Sequence, residues 1–452
     1  MALTGLDIYK LLPKTNCKKC GLPTCLAFAM ALASKKTSLD KCPDITEVAK
    51  QSLESASEPP IRTISVGSGE NKIEIGGETV LFRHEKTFYH PCGLGVSIAD
   101  TLSPEELSKK LDAFNSLVFD RVGQKVTAEF IAISNDSKNA DKFASVVSEV
   151  VSKTKAHLIL VSNDPAAIES ALKIAKDRNP IIGPANLSNA EQITSLAKTY
   201  NAAVMASGKN IDEIAQVSQK ISATGYREIV MDITPDDTEN LSGLIEDLTQ
   251  LRRMSIKKNI RTVGYPSIVF VKTARTDNPL ALLGSASLSV AKYAGIVVLP
   301  EPEPSMFLPV VTLRQNIYTD PQKPVTVEPK LYSIGGQPNE KSPVMITTNF
   351  SLTYFTVEPE IINSKIPAWL LVIDTDGLSV LTAWAAEKFT VEKVVDSMKK
   401  NNIEGIVSHR KLILPGYVAI MSGKLNELSG WEVLVGPREA SGIPKFLRTM
   451  WQ

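Results

Sequence analysis

From about residue 100 onward the chain repeats one unit, in which a short apolar run is followed by a polar turn and a segment of helical length. Apolar runs that do not alternate with polar residues predict strands buried on both faces, as in a parallel sheet covered by helices. Seven runs fit, at 130–133, 158–161, 181–182, 203–205, 229–233, 268–271 and 296–299, and 310–313 is an eighth candidate. Helical segments lie at 141–151, 166–176, 190–198, 211–221, 241–256 and 280–293. Seven or eight units over ~220 residues favour a (β/α)8 TIM barrel, and an open doubly wound sheet is the alternative.

The carboxyl ends of the predicted barrel strands, where barrel enzymes place their chemistry, carry few reactive groups. Ser134-Asn135-Asp136 and Ser162-Asn163-Asp164 each follow a strand and precede a helix, which favours helix capping over catalysis. Asp232 is a further polar residue at a strand end, and no His, Lys or paired carboxylate joins it in an acid–base set. The sequence therefore predicts a barrel that serves as a scaffold, and it assigns no catalytic residue.

Four of the five cysteines lie within the first 42 residues, in the order Cys17-x2-Cys20-x4-Cys25-x16-Cys42. Thiols grouped in one small segment of a long chain are typical of a metal or iron–sulfur site and not of a disulfide framework. Three of them fall in one loop and a helix-length apolar segment carries the chain to the fourth, which favours a [4Fe–4S] cluster. A zinc ribbon, which usually has two Cys-x2-Cys pairs where this chain has one, and unliganded core thiols are the alternatives.

Charge and chain breaks bear on location and domain organisation. The 50 basic and 49 acidic residues almost cancel, which argues against nucleic acid or an anionic membrane as the main partner. The pattern of a signal peptide and any long apolar run are missing, which predicts a cytoplasmic protein. Small polar residues and prolines predict linkers at 52–60 and 300–325. The predicted domains are 1–58 with the cysteines, 59–325 with the barrel, and 326–452.

Short strands are also predicted on either side of the barrel. Before it, alternating residues at 63–66 and 72–75, followed by 79–82, indicate hairpin strands. After it, apolar runs at 344–347, 370–373, 411–414, 418–421 and 432–435 alternate with helices at 378–387, 391–401 and 423–428. This rhythm predicts a doubly wound, Rossmann-like α/β domain at the carboxyl end.

Glycines and hydroxyl residues cluster after three of these strands, in 346–351, 373–382 and 435–444. Glycine lets the backbone approach a ligand, hydroxyls bond its polar edges, and open α/β sheets bind ligands at such a crevice. A tight turn with a helix cap is the simpler explanation for Thr375-Asp376-Gly377 alone. Three such loops in one small domain predict a large cofactor, whose identity the spacing leaves open.

The segment from Asn16 to Ala29, NCKKCGLPTCLAFA, followed by a central barrel and a carboxyl-terminal α/β domain, resembles the large (gamma) subunit of the corrinoid iron–sulfur protein of the acetyl-CoA synthase/CO dehydrogenase pathway. The likeness covers the whole chain. It implies a [4Fe–4S] cluster on Cys17, Cys20, Cys25 and Cys42, and a corrinoid (cobamide) held by the last domain. Combined with strand-end position, it implies corrinoid contacts at Thr347, Asn349, Thr375, Gly377, Ser379, Leu381, Thr382, Ala383, Gly436, Pro437, Glu439 and Ala440.

The four histidines bear on how cobalt would be held. Many methyltransferase corrinoid domains carry Asp-x-His-x-x-Gly, whose His binds cobalt from below, and none of His84, His90, His157 and His409 lies in that motif. His409 is in the right domain but lacks the Asp and the Gly, so it is interpreted as a surface or loop residue. The resemblance implies cobalt without a protein axial ligand, which is easier to reduce because no donor pushes electrons onto the metal.

By this resemblance the chain is a methyl carrier subunit of the methyltransferase class rather than a stand-alone enzyme. Co(I) accepts the methyl group of methyltetrahydrofolate from a separate methyltransferase and delivers it to the nickel–iron–sulfur centre of acetyl-CoA synthase/CO dehydrogenase, and the cluster reductively reactivates Co(II). A small TIM-barrel subunit is the implied heterodimer partner. Two alternatives stay open: an iron–sulfur electron-transfer subunit without corrinoid, and a barrel that is itself a pterin-binding methyltransferase.

Overall fold

The computed structural model describes residues 5–33, 36–46, 49, 58–235, 241–272, 278–319 and 324–451. The chain folds as two compact units, the first of residues 1–117 and 127–318 and the second of residues 118–126 and 319–452. No described helix has both the length and the apolar character that a bilayer crossing requires.

The first unit begins with the cysteine-bearing segment, which we call the cysteine module (residues 5–46). Helix α1 (Gly5–Leu11) packs on α2 (Cys25–Ala33), and Phe28 at their contact is almost fully buried. A single 3-10 turn at Leu39–Lys41 follows and brings Cys42 back to the same apolar core. The core is small, as expected for so short a segment.

A short antiparallel hairpin, β1 (Ile64–Val66) and β2 (Ile73–Ile75), precedes the barrel and confirms two of the three predicted hairpin strands. Its buried face packs against Phe130 and Ile296, which are the first residues of two barrel strands. The hairpin therefore covers the amino-terminal end of the barrel. The third strand, predicted at 79–82, is wrong, because these residues pair with no other strand.

The barrel has eight parallel strands, which neighbour one another in chain order and close on the first. Its strands are β3 (Gly93–Ala99), β6 (Phe130–Ser134), β7 (His157–Val161), β8 (Ile181–Ala185), β9 (Ala203–Ala206), β10 (Ile229–Asp232), β11 (Ser267–Phe270) and β12 (Ile296–Leu299), while β4 (Val118–Arg121) and β5 (Gln124–Thr127) form a separate hairpin. The helices that follow the barrel strands are α3 (Pro104–Asn115), α4 (Ala140–Lys153), α5 (Pro165–Ala175), α6 (Ala190–Tyr200), α7 (Ile211–Ala223), α8 (Leu241–Ile256), α9 (Pro279–Ala291) and α10 (Pro304–Tyr318). The predicted (β/α)8 barrel is confirmed, and the open-sheet alternative is wrong for this segment.

The first barrel strand is missing from the sequence prediction, because Gly93 and Gly95 of β3 weaken a strand pattern. Both glycines allow close packing on β6: a Cβ at Gly93 would lie 2.4 Å from the Phe130 ring, and one at Gly95 would lie 2.7 Å from the Cβ of Phe130. The strand predicted at 310–313 is wrong. These residues belong to α10, whose buried positions follow a helical period.

The two predicted linkers have different outcomes. Residues 50–57, which contain most of the linker predicted at 52–60, lie outside the described residues. The linker predicted at 300–325 is wrong over 304–318, where α10 completes the barrel. Pro304 begins this helix, a position that tolerates proline because the first backbone N–H groups of a helix need no partner within it.

The second unit contains a five-stranded sheet in the order β13-β15-β14-β16-β17. Its strands are β13 (Leu331–Ile334), β14 (Val344–Thr348), β15 (Ala368–Ile373), β16 (Lys411–Leu414) and β17 (Glu432–Val435), all parallel to their neighbours except the antiparallel edge strand β13. One face carries α11 (Ser351–Ser364) and α16 (Ile443–Met450), and the other carries α12 (Val380–Ala385), α13 (Val391–Lys400), α14 (Ile403–Ile406) and α15 (Ser422–Ser429). The strand predicted at 418–421 is wrong, because Gly416–Met421 is a 3-10 segment.

The β4–β5 hairpin belongs to the second unit although its sequence lies inside that of the barrel. Gly123 at its turn has φ 74°, and a Cβ there would lie 2.5 Å from the Phe355 ring of α11. The chain therefore passes between the units at three points, where the sequence predicts a single linker.

Gly95→Ala tests the packing of β3 on β6. The added methyl group would lie 2.7 Å from the Cβ of Phe130 and 2.9 Å from its carbonyl oxygen, and these atoms cannot yield as the end of a flexible side chain can. We expect the free energy of unfolding to fall by ~1–3 kcal/mol, with a lower melting temperature in differential scanning calorimetry. Gly423→Ala is the matched control, because no atom lies within 4 Å of a Cβ at that helical position. A melting temperature of Gly95→Ala equal to that of the control would contradict this account.

Candidate cofactor sites

The four amino-terminal cysteines lie together in the cysteine module, and all of them are free thiols. Cys25 and Cys42 are buried in the core of the module, Cys20 packs against that core, and Cys17 is partly exposed. Asn16 holds Cys25 from two sides: its backbone N–H donates to Sγ at 3.3 Å, and its side-chain oxygen accepts from the backbone N–H of Cys25 at 2.8 Å. The thiol of Cys25 therefore has a fixed position.

The other three thiols lie close enough to Cys42 to affect its charge. Burial raises the pKa of the Cys42 thiol, and negative charge on Cys20, Cys25 and Cys17 raises that pKa further. Four thiolates in one place repel one another unless a positive centre lies among them, and thiolates are the form that binds metals.

Four thiols in one small core fit an iron–sulfur cluster by type and number. No group of three or more His, Cys, Asp or Glu side chains within the described residues is arranged to hold a metal ion. A single zinc ion would need its thiolates at ~2.3 Å from one point. A [4Fe–4S] cluster requires a wider spacing of the cysteine sulfurs, because each thiolate binds a different iron and the four sulfurs surround the whole cluster. Backbone N–H groups that donate to the sulfurs of a cluster are one of the means by which proteins adjust it, and Asn16 makes such a bond to the Cys25 thiol.

Among the described residues, polar side chains at the carboxyl end of the barrel cap helices or bond to their neighbours. Asp164 caps α5 by accepting from its second backbone N–H at 2.9 Å, as the sequence predicts. Asp136 does not cap α4; Asn139 does. Asp232 accepts a hydrogen bond from the Ser207 hydroxyl at 2.9 Å, and burial raises the pKa of this carboxyl. Capping and buried hydrogen bonding thus account for Asp164 and Asp232, and the scaffold role of the barrel stays a prediction.

A cavity of about 360 Å³ lies in the second unit at the carboxyl ends of β14 and β16. The chain order reverses at this point: from β14 the chain runs to β15 on one side, and then crosses to β16 on the other. The helices of the two connections lie on opposite faces of the sheet, so the loops diverge and leave a crevice between them. Open α/β sheets bind their ligands at such a reversal.

Three buried hydroxyls at this end of β14 have no hydrogen-bond partner among the described residues. They belong to Thr347, Thr348 and Ser351, each of which is buried, and Thr347 lines the cavity wall. A buried hydroxyl without a partner costs ~1–3 kcal/mol, and native structures contain few of them. Unpartnered polar atoms beside a cavity indicate a place where a polar ligand group binds.

Asn349 directly follows β14 and clamps the next loop of the site. Its side-chain oxygen accepts from the backbone N–H of Thr375 at 2.9 Å, from the Thr375 hydroxyl at 3.0 Å and from the N–H of Gly377 at 3.1 Å. Its side-chain nitrogen donates to Asp374 at 3.0 Å. Thr375-Asp376-Gly377 is thus a tight turn, the simpler of its two interpretations. Left-handed φ values at Asp376 and Gly377, 56° and 75°, favour such a turn.

The structure brings half of the predicted corrinoid contacts to the cavity wall, namely Thr347, Ser379, Leu381, Gly436, Pro437 and Ala440. The others do not line it: Asn349, Thr375 and Gly377 form the clamp, Thr382 bonds the Ser379 hydroxyl at 3.0 Å, Glu439 accepts from the Tyr417 hydroxyl, and Ala383 is fully buried in the apolar core. The outer group therefore shapes the loops that form the wall.

Sequence reasoning misses the part of the wall that α11 and the loop after β16 supply. This part includes Leu352, Thr353 and Thr356 on one side and Pro415 and Tyr417 on the other. The hydroxyls of Thr353 and Thr356 lie one helical turn apart on the same face of α11, and this spacing can be recognised in the sequence. The adjacency of β14 and β16 was not, because it is a property of strand order and not of local sequence.

None of the four histidines, all of which the structure describes, lines the cavity. His409 lies in a bend just before β16, at the opposite end of that strand from the cavity. Both of its ring nitrogens are engaged, one 2.9 Å from the carbonyl oxygen of Ser342 and the other accepting from the N–H of Lys411 at 3.2 Å. The prediction that His409 is a loop residue is confirmed.

Comparisons with known proteins give full-length relatives. A family model described as "CO dehydrogenase/acetyl-CoA synthase delta subunit" matches residues 63–447. The corrinoid/iron-sulfur protein large subunit of Moorella thermoacetica is 48% identical over 99% of this chain and 99% of its own. The chain belongs to the corrinoid/iron–sulfur protein family. The acetyl-CoA decarbonylase/synthase complex subunit gamma of Methanothermobacter thermautotrophicus is 36% identical, again over 99% of each chain.

Membership of the corrinoid/iron–sulfur protein family confirms the resemblance drawn from the cysteine motif. A second model, for an Fe-S cluster, matches residues 12–43 and so spans all four amino-terminal cysteines. Cys92 lies outside it and is buried in the barrel, with Sγ 3.6 Å from the carbonyl oxygen of Gly93. Among solved structures, the dihydropteroate synthase FolP of Thermus thermophilus matches at a TM-score of 0.39 and 12% identity, over 57% of this chain and 100% of its own.

Asn349→Asp tests the clamp through its pH dependence. The variant keeps the accepting oxygen but places a second carboxylate 3.0 Å from Asp374. Two carboxyls this close raise each other's pKa above the unfolded value, so the folded form is favoured while they share a proton and loses stability as pH rises. We expect the melting temperature to fall more below that of the wild type at pH 8 than at pH 5.

Asn339→Asp is the control for this series. The side-chain oxygen of Asn339 accepts from the Lys341 N–H and the Ser342 hydroxyl, so the new carboxylate would face two donors and not a second carboxylate. Melting curves from pH 5 to pH 8 should show no added slope for the control. If the melting temperature of Asn349→Asp lay equally far below that of the wild type at pH 5 and at pH 8, Asn349 would not donate to Asp374.

Proposed function

We propose that this chain is a methyl carrier of the acetyl-CoA pathway, with a corrinoid in its second unit and a [4Fe–4S] cluster on Cys17, Cys20, Cys25 and Cys42. The names of its relatives support both cofactors. The observation that carries the proposal is the cavity at the reversal point, which has an unpartnered buried hydroxyl, Thr347, in its wall. When bound, a corrinoid supplies a cobalt centre that accepts and donates a methyl group, and a cluster supplies single electrons.

The size of the cavity fits part of a corrinoid. At about 360 Å³ it is near the lower end of ligand pockets, ~300–1,000 Å³, and would take the nucleotide-like tail while the macrocycle stays outside. Leu381 and Tyr417 line the cavity and are also 49% and 45% exposed, so they extend from its wall to the surface. Exposed apolar side chains at the mouth of a pocket mark a surface that a ligand covers.

The chain's own residues then bind and orient, and they leave the metal without a protein ligand. Thr347 gives the tail a hydroxyl partner, and Asn349 holds the loop that leads to Ser379 and to Leu381 in α12. None of the four histidines lies in the Asp-x-His-x-x-Gly motif, and both ring nitrogens of His409 are engaged, so we expect no imidazole to push electrons onto a bound cobalt, which would favour its reduced state.

The cysteine module would supply the electron that restores an oxidised carrier. The N–H bond from Asn16 to the Cys25 sulfur stabilises the more negative state of a cluster. The methyl donor would be methyltetrahydrofolate on a separate methyltransferase, the acceptor acetyl-CoA synthase/CO dehydrogenase, and the permanent partner a small barrel subunit. The names "large subunit" and "complex subunit gamma" of the relatives support an assembly of this kind.

Metal analysis of anaerobically purified protein tests the two cofactors together. We expect about four irons and about one cobalt per chain. Cys25→Ala should lose iron and keep cobalt, because the proposed corrinoid cavity lies in the other unit. Cys92→Ala, the matched control, should keep both metals. Four irons without cobalt in the wild type would favour the electron-transfer alternative and contradict the proposal.

Thr347→Val tests the cavity, because it removes the unpartnered hydroxyl at nearly constant volume. We expect the cofactor-free chain to become more stable, by ~1–3 kcal/mol in unfolding free energy, because a buried unsatisfied group is gone. Affinity for cobalamin should fall by about tenfold, ~1.4 kcal/mol, because the ligand loses a hydrogen bond. Both can be measured on protein from cobalt-free cultures, by thermal unfolding and by absorbance titration.

Thr194→Val is the control for Thr347→Val. Its hydroxyl is equally buried but donates to the carbonyl oxygen of Ala190 at 2.6 Å, within α6. This variant should lose stability and bind cobalamin as the wild type does. Unchanged affinity in Thr347→Val would show that the hydroxyl does not contact the ligand.

A further inference from the structure

Two adjacent helices of the barrel differ from the other six in charge. Helices α3 to α8 all carry acidic and basic residues, whereas α9 contains none between Pro279 and Ala291. Between Pro304 and Tyr318, α10 contains a single charged residue, Arg314, which is buried and paired with Glu129 at 2.8 Å. Because α9 and α10 pack against each other, they form one side of the barrel without an exposed charge, which we call the α9–α10 face.

Apolar and small uncharged residues lie along the outer side of this face. Leu280 is 76% exposed, and Gly284 and Ser287 follow it on the same side of α9 at helical spacing. On α10, Leu308 is 39% exposed and Thr312 lies one turn further on. The outer side of a barrel helix that faces water normally carries charged and polar residues. The composition of this face is that of a surface covered by another molecule.

Gly284 shows that the chain's own residues leave this surface open. A Cβ at Gly284 would meet no atom within 4 Å. Glycine inside a helix costs ~1 kcal/mol relative to alanine, and here no neighbour within the chain requires it. Close approach of a second chain is a reason for glycine at such a position.

We propose that the α9–α10 face is the uncharged centre of the interface with the smaller subunit of the assembly. The inference rests on the proposed function, which includes that subunit. Interface centres are depleted in charged residues and are surrounded by a polar rim. At 1.5 Å per residue the two helices are ~20 Å long, so together they cover ~400 Å², about half of the ~800 Å² that each partner buries in a stable interface. The face thus supplies the centre and the neighbouring charged helices the rim.

The occupant of the face is a different, smaller chain. The Moorella thermoacetica relative is named a large subunit, which requires a smaller one beside it. Its matching surface would be uncharged as well, because a charge buried against the α9–α10 face would find no partner there.

Gly284→Glu tests this interface without disturbing the fold. The new side chain enters open space, and loss of a helical glycine should leave the melting temperature of the isolated chain equal or higher. A carboxylate in the interface centre should weaken association with the co-expressed small subunit of the same organism at least 100-fold, as measured by light scattering on size-exclusion fractions. Gly423→Glu, at an equally open helical glycine outside the face, is the matched control and should form the same 1:1 complex as the wild type.

Wild-type affinity in Gly284→Glu would overturn the inference. A wild-type chain that ignores the small subunit but forms a homodimer, which Gly284→Glu breaks, would overturn it in favour of a second copy as the occupant. Iron and cobalt are measured on each sample, so that failure of the interface is distinct from failure of the proposed function. If both metals are present while the small subunit does not bind, the inference alone fails.

Discussion

The crossing of the chain from β15 to β16, on the opposite side of β14, is the constraint on which the second unit depends. It places α11 on one face and α12 to α14 on the other, so that the loops after β14 and β16 separate and the cavity forms between them. Asn349 makes this opening rigid, since one amide side chain holds the loop after β15 by three accepted hydrogen bonds. The unpartnered hydroxyls at the end of β14 are a cost that a bound ligand would remove.

The barrel and the cysteine module contribute different properties. The barrel presents caps at its carboxyl end and, on the α9–α10 face, an uncharged surface that we propose serves assembly. The module is a small core that holds four thiols, two of them buried. In the proposed account the chemistry lies at the two ends of the chain and assembly in the middle. Binding and tuning of cofactors need few reactive side chains.

Much of this organisation could be predicted from the sequence, because it depends on local pattern. Continuous apolar strands between amphipathic helices indicated the barrel, and the spacing of the cysteines indicated the cluster site. What failed depended on tertiary packing. Strand β3 was missed because Gly93 and Gly95 are poor strand formers whose role is close packing on Phe130. The start of α10 was predicted as a linker because of its prolines, although Pro304 is compatible with the first position of a helix. Most of the cavity wall was missed, in part because strand order, and not local sequence, brings the loop after β16 to the same cavity as Thr347.

Anomalous diffraction at the cobalt and iron absorption edges, from crystals of the protein purified with its cofactors, is the most direct test of the central claim. The account predicts iron among Cys17, Cys20, Cys25 and Cys42, tail density inside the cavity between β14 and β16, and cobalt outside its mouth without a bond to any histidine. Cobalt at the carboxyl end of the barrel, or cobalt bonded to His409, would contradict it.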